Sequence, residues 1–341
     1  MKYLTPGPIQ LPKEVLTHIS RQPGFHRSEE FKKLLEKVIE NLEKIIKGNA
    51  IILPGTGTFS IDTMVYNYIK PNDKVLLIDI GEFSKRLGDS LKSRGAIVEL
   101  ITSEIGSLPL PDLIEEKIKI MREVKAITMV HNETSIGITN RFIEKIQDIA
   151  SSYGALLLVD SVSGIPAENI NKEIDVIATA SHKAFLSIPG ASIIYINKNP
   201  DNNSNVPPSM DLKKFLKMKP NCETPYTPPI NVIAGLEYST NYILNMGVNN
   251  YTKIHEERSR ILYNSVKLKP IVNNEIFRSN TVASFYTNHV KEIINDLKEK
   301  GYTIANGIGN LSNKAVRIGL MGDIDFHDIK AVSEAINNYV D

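Results

Sequence analysis

The chain has 341 residues, enough for one large hydrophobic core and a smaller domain beside it. Hydrophobic residues make up 42% of the chain and charged residues 23%, and the formal net charge of +1 gives no indication of nucleic acid or an anionic membrane as a partner. The single cysteine excludes an internal disulfide and a cysteine-based zinc site. Residues 1–12 contain no signal-peptide pattern, and no apolar run reaches the roughly 18 residues of a membrane span, so we predict a cytoplasmic, metal-free protein.

Apolar runs alternate with helical patterns over the first 200 residues. A long amphipathic helix is predicted over 28–47, with Ser28 as its cap and Gly48 at its end. Asn140 is predicted to cap a later helix that stops at Gly154. Strands are predicted over 50–53, 74–80, 98–102, 124–131, 155–159, 174–179 and 191–196, with further helices over 59–69, 83–94 and from about 111. This alternation is typical of a largely parallel sheet that helices cover on both faces.

The alternating pattern breaks after the strand predicted over 191–196. Residues 199–208 are rich in Asn and Pro, and residues 220–229 are rich in Pro and Thr. Helices are predicted over 232–244 and near 251–266, and beyond about residue 268 short strands and helices alternate as in a separate α+β domain. We therefore predict an N-terminal arm (1–16), a large domain (17–250) and a small domain (251–341).

Two residues at the ends of predicted strands suggest cofactor chemistry. Asp160 ends one strand, and Lys183 follows another in the segment Ser181-His182-Lys183. A pyridoxal phosphate enzyme needs such a pair, because its lysine forms a Schiff base with the aldehyde while the carboxylate keeps the pyridine nitrogen protonated. Most lysines in loops after strands are solvated surface charges, so a surface role is the alternative when this segment is considered alone.

A turn rich in glycine and threonine lies between a predicted strand and a helix, at residues 54–58. Its backbone N–H groups, its threonine hydroxyls and the positive end of the helix dipole suit a phosphate. The turn is not a Walker A loop, since no Gly-Lys-Ser/Thr follows, and it lacks the G-x-G-x-x-G of dinucleotide sites. A tight turn with a helix cap explains the same residues equally well.

Three further positions carry weaker signals. Phe83 follows a predicted strand and could stack on a flat heterocycle, although a lone aromatic at a helix start more often belongs to the core. Thr134, in Glu133-Thr134-Ser135, could direct its hydroxyl to a ring oxygen or belong to a capped turn. Arg317 lies within an apolar strand, where it needs an anion, either a substrate carboxylate or the partner in a structural ion pair.

The order of these motifs is more specific than any one of them. It runs Gly-Thr-Gly-Thr, Gly-x-Phe, Glu-Thr-Ser, Val-Asp-x-Val, Ser-His-Lys, Thr-Pro-Pro and Arg-Ile-Gly-x-Met-Gly. From Pro6-Gly7-Pro8 to Met321-Gly322 the chain resembles the class V aminotransferases, most closely the branch of alanine–glyoxylate and serine–pyruvate aminotransferases. The resemblance implies a fold type I pyridoxal phosphate-dependent transferase with a mostly parallel seven-stranded sheet, a small C-terminal α+β domain and a homodimeric assembly.

The resemblance also implies a role for each matching residue. Lys183 would form the Schiff base and move a proton between the substrate Cα and the cofactor, and Asp160 would pair with the pyridine nitrogen. Arg317 would receive the substrate carboxylate, with Gly7 also at the substrate. The other implied cofactor ligands are Thr56, Gly57 and Thr58 at the phosphate, Phe83 and Val162 on the two ring faces, Thr134 at the ring oxygen, His182 at the phosphate, and Thr227 from the neighbouring subunit.

Two positions depart from the family pattern. Thr224 stands where relatives can place a tyrosine on the partner phosphate. His182 stands where this branch commonly has Gln, and Ser-His-Lys is more similar to the cysteine desulfurases. A desulfurase also needs a mobile cysteine and usually a histidine over the ring, whereas here the ring position is Phe83 and Cys222 lies beside the segment for the partner's phosphate. The desulfurase alternative is therefore disfavoured.

The resulting hypothesis is a ping-pong transamination. A small amino acid, alanine or serine, would give its amino group to the cofactor, and a 2-oxo acid, glyoxylate or pyruvate, would receive it. The closest alternative is 2-aminoethylphosphonate transamination, in which Arg317 would meet a phosphonate. A non-catalytic member that keeps the fold for binding is a third, and Lys183, Asp160 and Arg317 argue against it. The donor and the acceptor stay open.

Overall fold

The computed structural model describes residues 1–200 and 205–340. Outside this part lie residue 341 and residues 201–204, which belong to the segment rich in Asn and Pro. The strands are β1 (Lys2–Tyr3), β2 (Asn49–Gly55), β3 (Lys74–Asp79), β4 (Ile97–Thr102), β5 (Ala126–Val130), β6 (Asn132–Glu133), β7 (Ile138–Thr139), β8 (Leu156–Asp160), β9 (Val176–Ala180), β10 (Gly190–Ile196), β11 (Val282–Tyr286), β12 (Tyr302–Thr303), β13 (Ala305–Asn306) and β14 (Ala315–Gly319). The α-helices are α1 (Lys13–Ile19), α2 (Glu29–Ile45), α3 (Gly57–Tyr68), α4 (Glu82–Ser93), α5 (Pro111–Met121), α6 (Ile143–Ser152), α7 (Leu212–Met218), α8 (Ile230–Met246), α9 (Val248–Ser265), α10 (Val290–Glu299) and α11 (Phe326–Ile336).

A seven-stranded sheet in the order β2-β10-β9-β8-β5-β3-β4 forms the centre of the molecule. Strand β10 runs antiparallel to both of its neighbours, β2 and β9, and the other pairs of the sheet are parallel. Every residue of β5 and β9 is buried, as expected for central strands covered on both faces. The predicted fold class, with its mostly parallel seven-stranded sheet, is confirmed.

Helices pack on both faces of this sheet because alternate strand residues point to opposite sides. In β3, Leu76 and Ile78 join an apolar cluster with residues of α2, α5, α6 and α8. Val75 and Leu77 join a second cluster with residues of α3 and α4. The strand ends that carry the predicted site residues are thereby held between two packed layers.

A third apolar cluster belongs to the C-terminal part of the chain. It joins Leu4 to residues from 262 to 336 around the antiparallel sheet β11-β14-β13. The N-terminal segment is attached here, because β1 pairs with β12 in parallel and Gln10 forms a bridge to Gly322. Helix α9 connects the clusters, with Tyr251 in the first and Leu262 in the third. The predicted domain boundaries remain a prediction.

Of the two helix caps predicted from the sequence, Ser28 is confirmed and Asn140 is wrong. The Ser28 hydroxyl accepts a hydrogen bond from the Phe31 backbone N–H at 3.3 Å, as predicted for the start of α2. Asn140 does not cap α6, which begins at Ile143. Its side-chain oxygen instead accepts from the Phe142 N–H at 3.0 Å, because asparagine can close a local turn as readily as it caps a helix. No helix in residues 1–200 and 205–340 is long and apolar enough to cross a membrane.

Candidate active site

A cavity of about 790 Å³ lies between the N-terminal segment, the carboxyl ends of the central strands and β14. Its walls contain five of the residues singled out from the sequence: Gly7, Phe83, Thr134, Lys183 and Arg317. These residues come from five distant stretches of the chain. The structure therefore brings together the predicted lysine, the stacking aromatic and the carboxylate arginine.

Lys183 lies in the turn that follows β9 and reaches across to the N-terminal segment. Its Nζ donates a hydrogen bond to the backbone oxygen of Pro6 at 2.5 Å. Burial lowers the pKa of Lys183 to about 8, and the cationic Arg317 and Arg86 act in the same direction, while Asp160 opposes them. A lysine with this pKa has a usable neutral fraction near pH 7, as a nucleophile or a base requires. A solvated surface role does not fit these surroundings.

Asp160 ends β8 and is only 4% exposed. The Val162 backbone N–H donates to its Oδ1 at 2.9 Å. Burial raises the pKa of Asp160 to about 7, against the opposing effects of this N–H and of Lys183. A carboxylate buried in this way gains stability from a cationic partner, and the protonated nitrogen of a pyridine ring is one.

Glu133, which the sequence reasoning did not assign to the site, is a buried carboxylate at the start of α4. It accepts hydrogen bonds from the backbone N–H groups of Phe83 at 3.1 Å and Ser84 at 3.0 Å, and from the Ser135 hydroxyl at 2.5 Å. Burial raises the pKa of Glu133, and these donors oppose the rise. The carboxyl group sits at the positive end of the helix dipole, which favours its charged form. Glu133 thereby fixes the backbone of Phe83 and Ser84 at the start of α4.

Arg317 lies in β14 and is 8% exposed. Its Nε donates to the Asn306 carbonyl at 2.9 Å, and its Nη1 donates to the Thr134 carbonyl at 3.2 Å. Burial lowers the pKa of Arg317 to about 10, well above neutral pH, so the group stays cationic. Among the described residues no carboxylate forms an ion pair with it. The structural ion pair considered as its alternative role is therefore not formed.

The predicted phosphate turn leads directly into α3. Thr56 precedes the helix and makes no side-chain capping bond, so the first backbone N–H groups of α3 stay available. Thr56 and Thr58 are both exposed, and neither lines the cavity. A Cβ on Gly57 would lie 2.6 Å from Cγ1 of Val162, so only glycine allows this approach. Gly57 and Val162 are thus in contact.

His182 precedes the lysine and carries an unsatisfied polar atom. Its Nδ1 is buried and has no hydrogen-bond partner within the described parts of the chain. Burial lowers the pKa of His182 to about 4, and the neighbouring Lys183 acts in the same direction, so the ring is neutral at pH 7. A buried polar atom without a partner is costly unless a ligand satisfies it.

The segment with Thr227 lies apart from the cavity of its own chain. Thr227 is exposed and does not line the cavity, which leaves its predicted role toward a neighbouring subunit as a prediction. Thr224 is buried, and its hydroxyl donates to the Tyr226 carbonyl at 2.7 Å. Cys222, the thiol that a desulfurase reaction would need, is also absent from the cavity wall formed by the described residues.

Arg86 is a charged residue of the cavity wall that the sequence reasoning did not identify. It lies on α4, one turn after Phe83, and its guanidinium carbon stands 4.9 Å from the centre of the Phe83 ring. It lines the same cavity as Lys183 and Arg317. The spacing of three residues on a helix predicts that Phe83 and Arg86 share a face, so this neighbour could have been found from the helix assignment.

The residues present fit pyridoxal phosphate. The uncapped start of α3 and the unpartnered Nδ1 of His182 suit an anion. The buried Asp160 forms no ion pair with a residue in the described part of the chain, and Lys183 has a lowered pKa. No cluster of three or more metal-ligating side chains occurs within residues 1–200 and 205–340. The fold and this set of residues define a pyridoxal phosphate-dependent enzyme of fold type I.

Comparison with known proteins identifies the family. The model of the class-V aminotransferases matches residues 6–332, so the chain belongs to this family and is a pyridoxal phosphate-dependent aminotransferase. An uncharacterised aminotransferase of Methanocaldococcus jannaschii is 30% identical, over 94% of this chain and 87% of that protein. Two more relatives are the serine–glyoxylate aminotransferase of Arabidopsis thaliana (29% identity, 94% and 85% covered) and the alanine–glyoxylate aminotransferase 1 of Saccharomyces cerevisiae (30%, 94% and 91%).

The fold is also shared with solved structures. The crystal structure of alanine–glyoxylate aminotransferase from Nostoc sp. superimposes with a TM-score of 0.92, over 99% of this chain and 94% of the other, at 23% identity. At this identity the likeness establishes the fold, and the substrate has to be argued from the site.

Proposed function

We propose that the protein transfers the amino group of a small 2-amino acid, alanine or serine, to a 2-oxo acid, glyoxylate or pyruvate, in a ping-pong sequence. The observation that carries the proposal is one cavity of about 790 Å³ that contains both Lys183 and Arg317, and Arg317 has no ion-pair partner among the described residues. Relatives that span nearly the whole chain are named for serine and alanine as donors and glyoxylate as acceptor.

Several residues are proposed to hold the cofactor. The phosphate would lie at the start of α3, near Thr56, Gly57 and Thr58, and His182 would donate to it. Phe83 and Val162 would contact the two faces of the ring, Asp160 would pair with the ring nitrogen, and Thr134 would donate to the ring oxygen. The support is the uncapped helix, the contact of Gly57 with Val162 and the burial of Asp160. When bound, pyridoxal phosphate supplies an aldehyde that bonds to amines and a ring that accepts electrons.

Lys183 is proposed to carry the cofactor and then to move the proton of the substrate Cα. Its Nζ lies against the Pro6 carbonyl, and its pKa of about 8 allows the same amine to act as a base and, once protonated, as an acid near neutral pH. Gly7 is proposed to lie at the substrate. A Cβ on Gly7 would stand 2.3 Å from Nζ of Lys183, so the absence of a side chain keeps the approach to the amine open.

Arg317 is proposed to bind the substrate carboxylate. The carbonyls of Asn306 and Thr134 occupy its Nε and Nη1, which fixes the plane of the guanidinium. The remaining N–H groups, chiefly those of Nη2, stay available for a carboxylate. Since Thr134 also belongs to the predicted ring-oxygen contact, its backbone would connect substrate and cofactor positions.

The assembly and location are proposals as well. We propose a homodimer in which Thr227 of one chain contributes to the phosphate site of the other, because Thr227 is exposed and outside its own cavity. We further propose a cytoplasmic protein with an N-terminal arm (1–16), a large domain (17–250) and a small domain (251–341). The arm is supported by Leu4, which packs in the C-terminal cluster and not with the large domain that follows it in the chain.

The substrate is tested by activity with alanine, serine and 2-aminoethylphosphonate, each with glyoxylate and with pyruvate. We expect turnover of alanine or serine; turnover of the phosphonate alone would overturn the proposal. Arg317→Ala should raise the KM of the amino acid at least tenfold while the cofactor dissociation constant stays within about twofold. Arg260→Ala, at an exposed position on α9, serves as the control. Equal weakening of substrate and cofactor by Arg317→Ala would make the arginine structural.

A further inference from the structure

The cavity contains one cation more than the proposed reaction uses. Lys183 and Arg317 have roles with the cofactor and with the substrate carboxylate, and Arg86 lines the same wall without such a role. Its charge is felt inside the site, because it lowers the pKa values of both Lys183 and Asp160. Arg86 is exposed to solvent in the single chain and nevertheless lines the cavity.

Arg86 has no protein partner for its N–H groups within the described residues. Its recorded contact is with the Phe83 ring, whose centre lies 4.9 Å from the guanidinium carbon. A guanidinium that rests on an aromatic face is held in orientation, yet all five N–H groups point outward in its own plane. By contrast, Arg317 already donates to the carbonyls of Asn306 and Thr134. Arg86 is thus positioned and chemically unoccupied.

The ligand that suits such a group is a second carboxylate. The planar fork of arginine matches two carboxylate oxygens, and a cation in a partly enclosed cavity binds an anion more strongly than one on an open surface. The proposed phosphate position is at the start of α3, and the substrate's own carboxylate is assigned to Arg317. The group left for Arg86 is an acid on the substrate side chain.

We propose that Arg86 forms a binding site for a side-chain carboxylate, so that the enzyme accepts a short dicarboxylic amino acid such as L-aspartate, and the corresponding 2-oxo acid, beside small neutral ones. This inference rests on the proposed aminotransferase reaction at the same cavity. It makes Arg86 a specificity-determining residue, because a neutral donor such as alanine has no group to meet it.

A binding experiment tests the site without turnover. The holoenzyme is titrated calorimetrically with succinate, which has two carboxylates, and with butyrate, which has one on a chain of the same length. We expect succinate to bind at least tenfold more tightly, Arg86→Gln to abolish that advantage and Arg86→Lys to retain part of it. Lys85→Gln is the matched control, because Lys85 is the exposed neighbour on α4, pairs with Glu82 and does not line the cavity. An advantage that survives Arg86→Gln would overturn the inference.

A kinetic comparison separates this inference from the proposed function. Arg86→Gln should lower the ratio of kcat/KM for L-aspartate to that for L-alanine about 10- to 100-fold, the range expected for one charge-assisted contact, and Lys85→Gln should leave the ratio unchanged. An equal loss for both donors, or a parallel loss of cofactor affinity, would assign Arg86 to the cofactor and overturn the inference. If the ratio of kcat/KM for O-phospho-L-serine to that for L-alanine exceeds the ratio for L-aspartate, the second acid is a phosphate and the carboxylate assignment is overturned. A wild-type enzyme inactive with every amino acid would refute the proposed function, while the succinate titration would still decide the role of Arg86.

Discussion

Replacement of Lys183 by methionine should stabilise the cofactor-free protein at pH 7. Burial and two nearby arginines lower the pKa of Lys183 from 10.5 to about 8. The unfolded chain therefore binds this proton more tightly than the folded protein, so the charged lysine costs stability below pH 8, and the cost disappears as the pH rises from 8 to 10.5. A shift of this size corresponds to about 3 kcal/mol at pH 7. Loss of the hydrogen bond to Pro6 offsets about 1 kcal/mol, which leaves a net gain of about 2 kcal/mol.

The assay is urea unfolding of the apoprotein at pH 7 and at pH 9.5, for the wild type and Lys183→Met. The other titrating groups are common to both proteins, so the difference between them isolates Lys183. We expect the advantage of Lys183→Met to fall by about 2 kcal/mol between the two pH values. Lys253→Met, at an exposed lysine on α9, should show no such pH-dependent difference. The reasoning would be refuted if the wild type were more stable than Lys183→Met at pH 7, or if the difference in free energy of unfolding between the two proteins were the same at both pH values.

Two further substitutions test residues that shape the site. Glu133→Gln places an amide N–H₂ among the N–H donors at the start of α4, so it should lower the free energy of unfolding by about 2 kcal/mol and also weaken cofactor binding. Urea unfolding and cofactor titration measure the two effects, with Glu82→Gln, at a partly exposed position, as the control. Equal effects of the two substitutions would contradict a special role of Glu133. Gly57→Ala drives a Cβ to 2.6 Å from Val162 and should raise the cofactor dissociation constant about tenfold, whereas Gly24→Ala, with nothing within 4 Å, should not; unchanged cofactor binding in Gly57→Ala would remove this contact from the account.

The residues recognised from the sequence share a physical signature. Asp160 ends an apolar run and Lys183 follows another, and parallel strands end at the same edge of a sheet, so the two are expected to be neighbours. Arg317 interrupts a buried strand, where a charge without a purpose is costly. The sheet was predictable for a related reason, because buried parallel strands appear as continuous apolar runs separated by helical patterns.

Two of the contacts that sequence reasoning missed join residues that are far apart in the chain. The carboxylate of Glu133 is satisfied by backbone N–H groups of residues 83 and 84, and a backbone donor leaves no mark in the amino-acid sequence. The carbonyl of Pro6 that accepts from Lys183 lies 177 residues away. It is also a backbone group, so the sequence pattern does not indicate this contact. Asn140 shows the limit at short range, since turn closure and helix capping use the same side-chain oxygen.

The central claim is that Lys183 is the residue that bonds to pyridoxal phosphate. The most direct measurement is borohydride reduction of the holoenzyme followed by peptide mass spectrometry, which locates the covalently attached cofactor on one lysine. We predict the added mass on the peptide that contains Lys183, together with a visible absorption band in the unreduced protein that Lys183→Ala abolishes. Attachment to a different lysine, or a protein that binds no cofactor at all, would contradict the account.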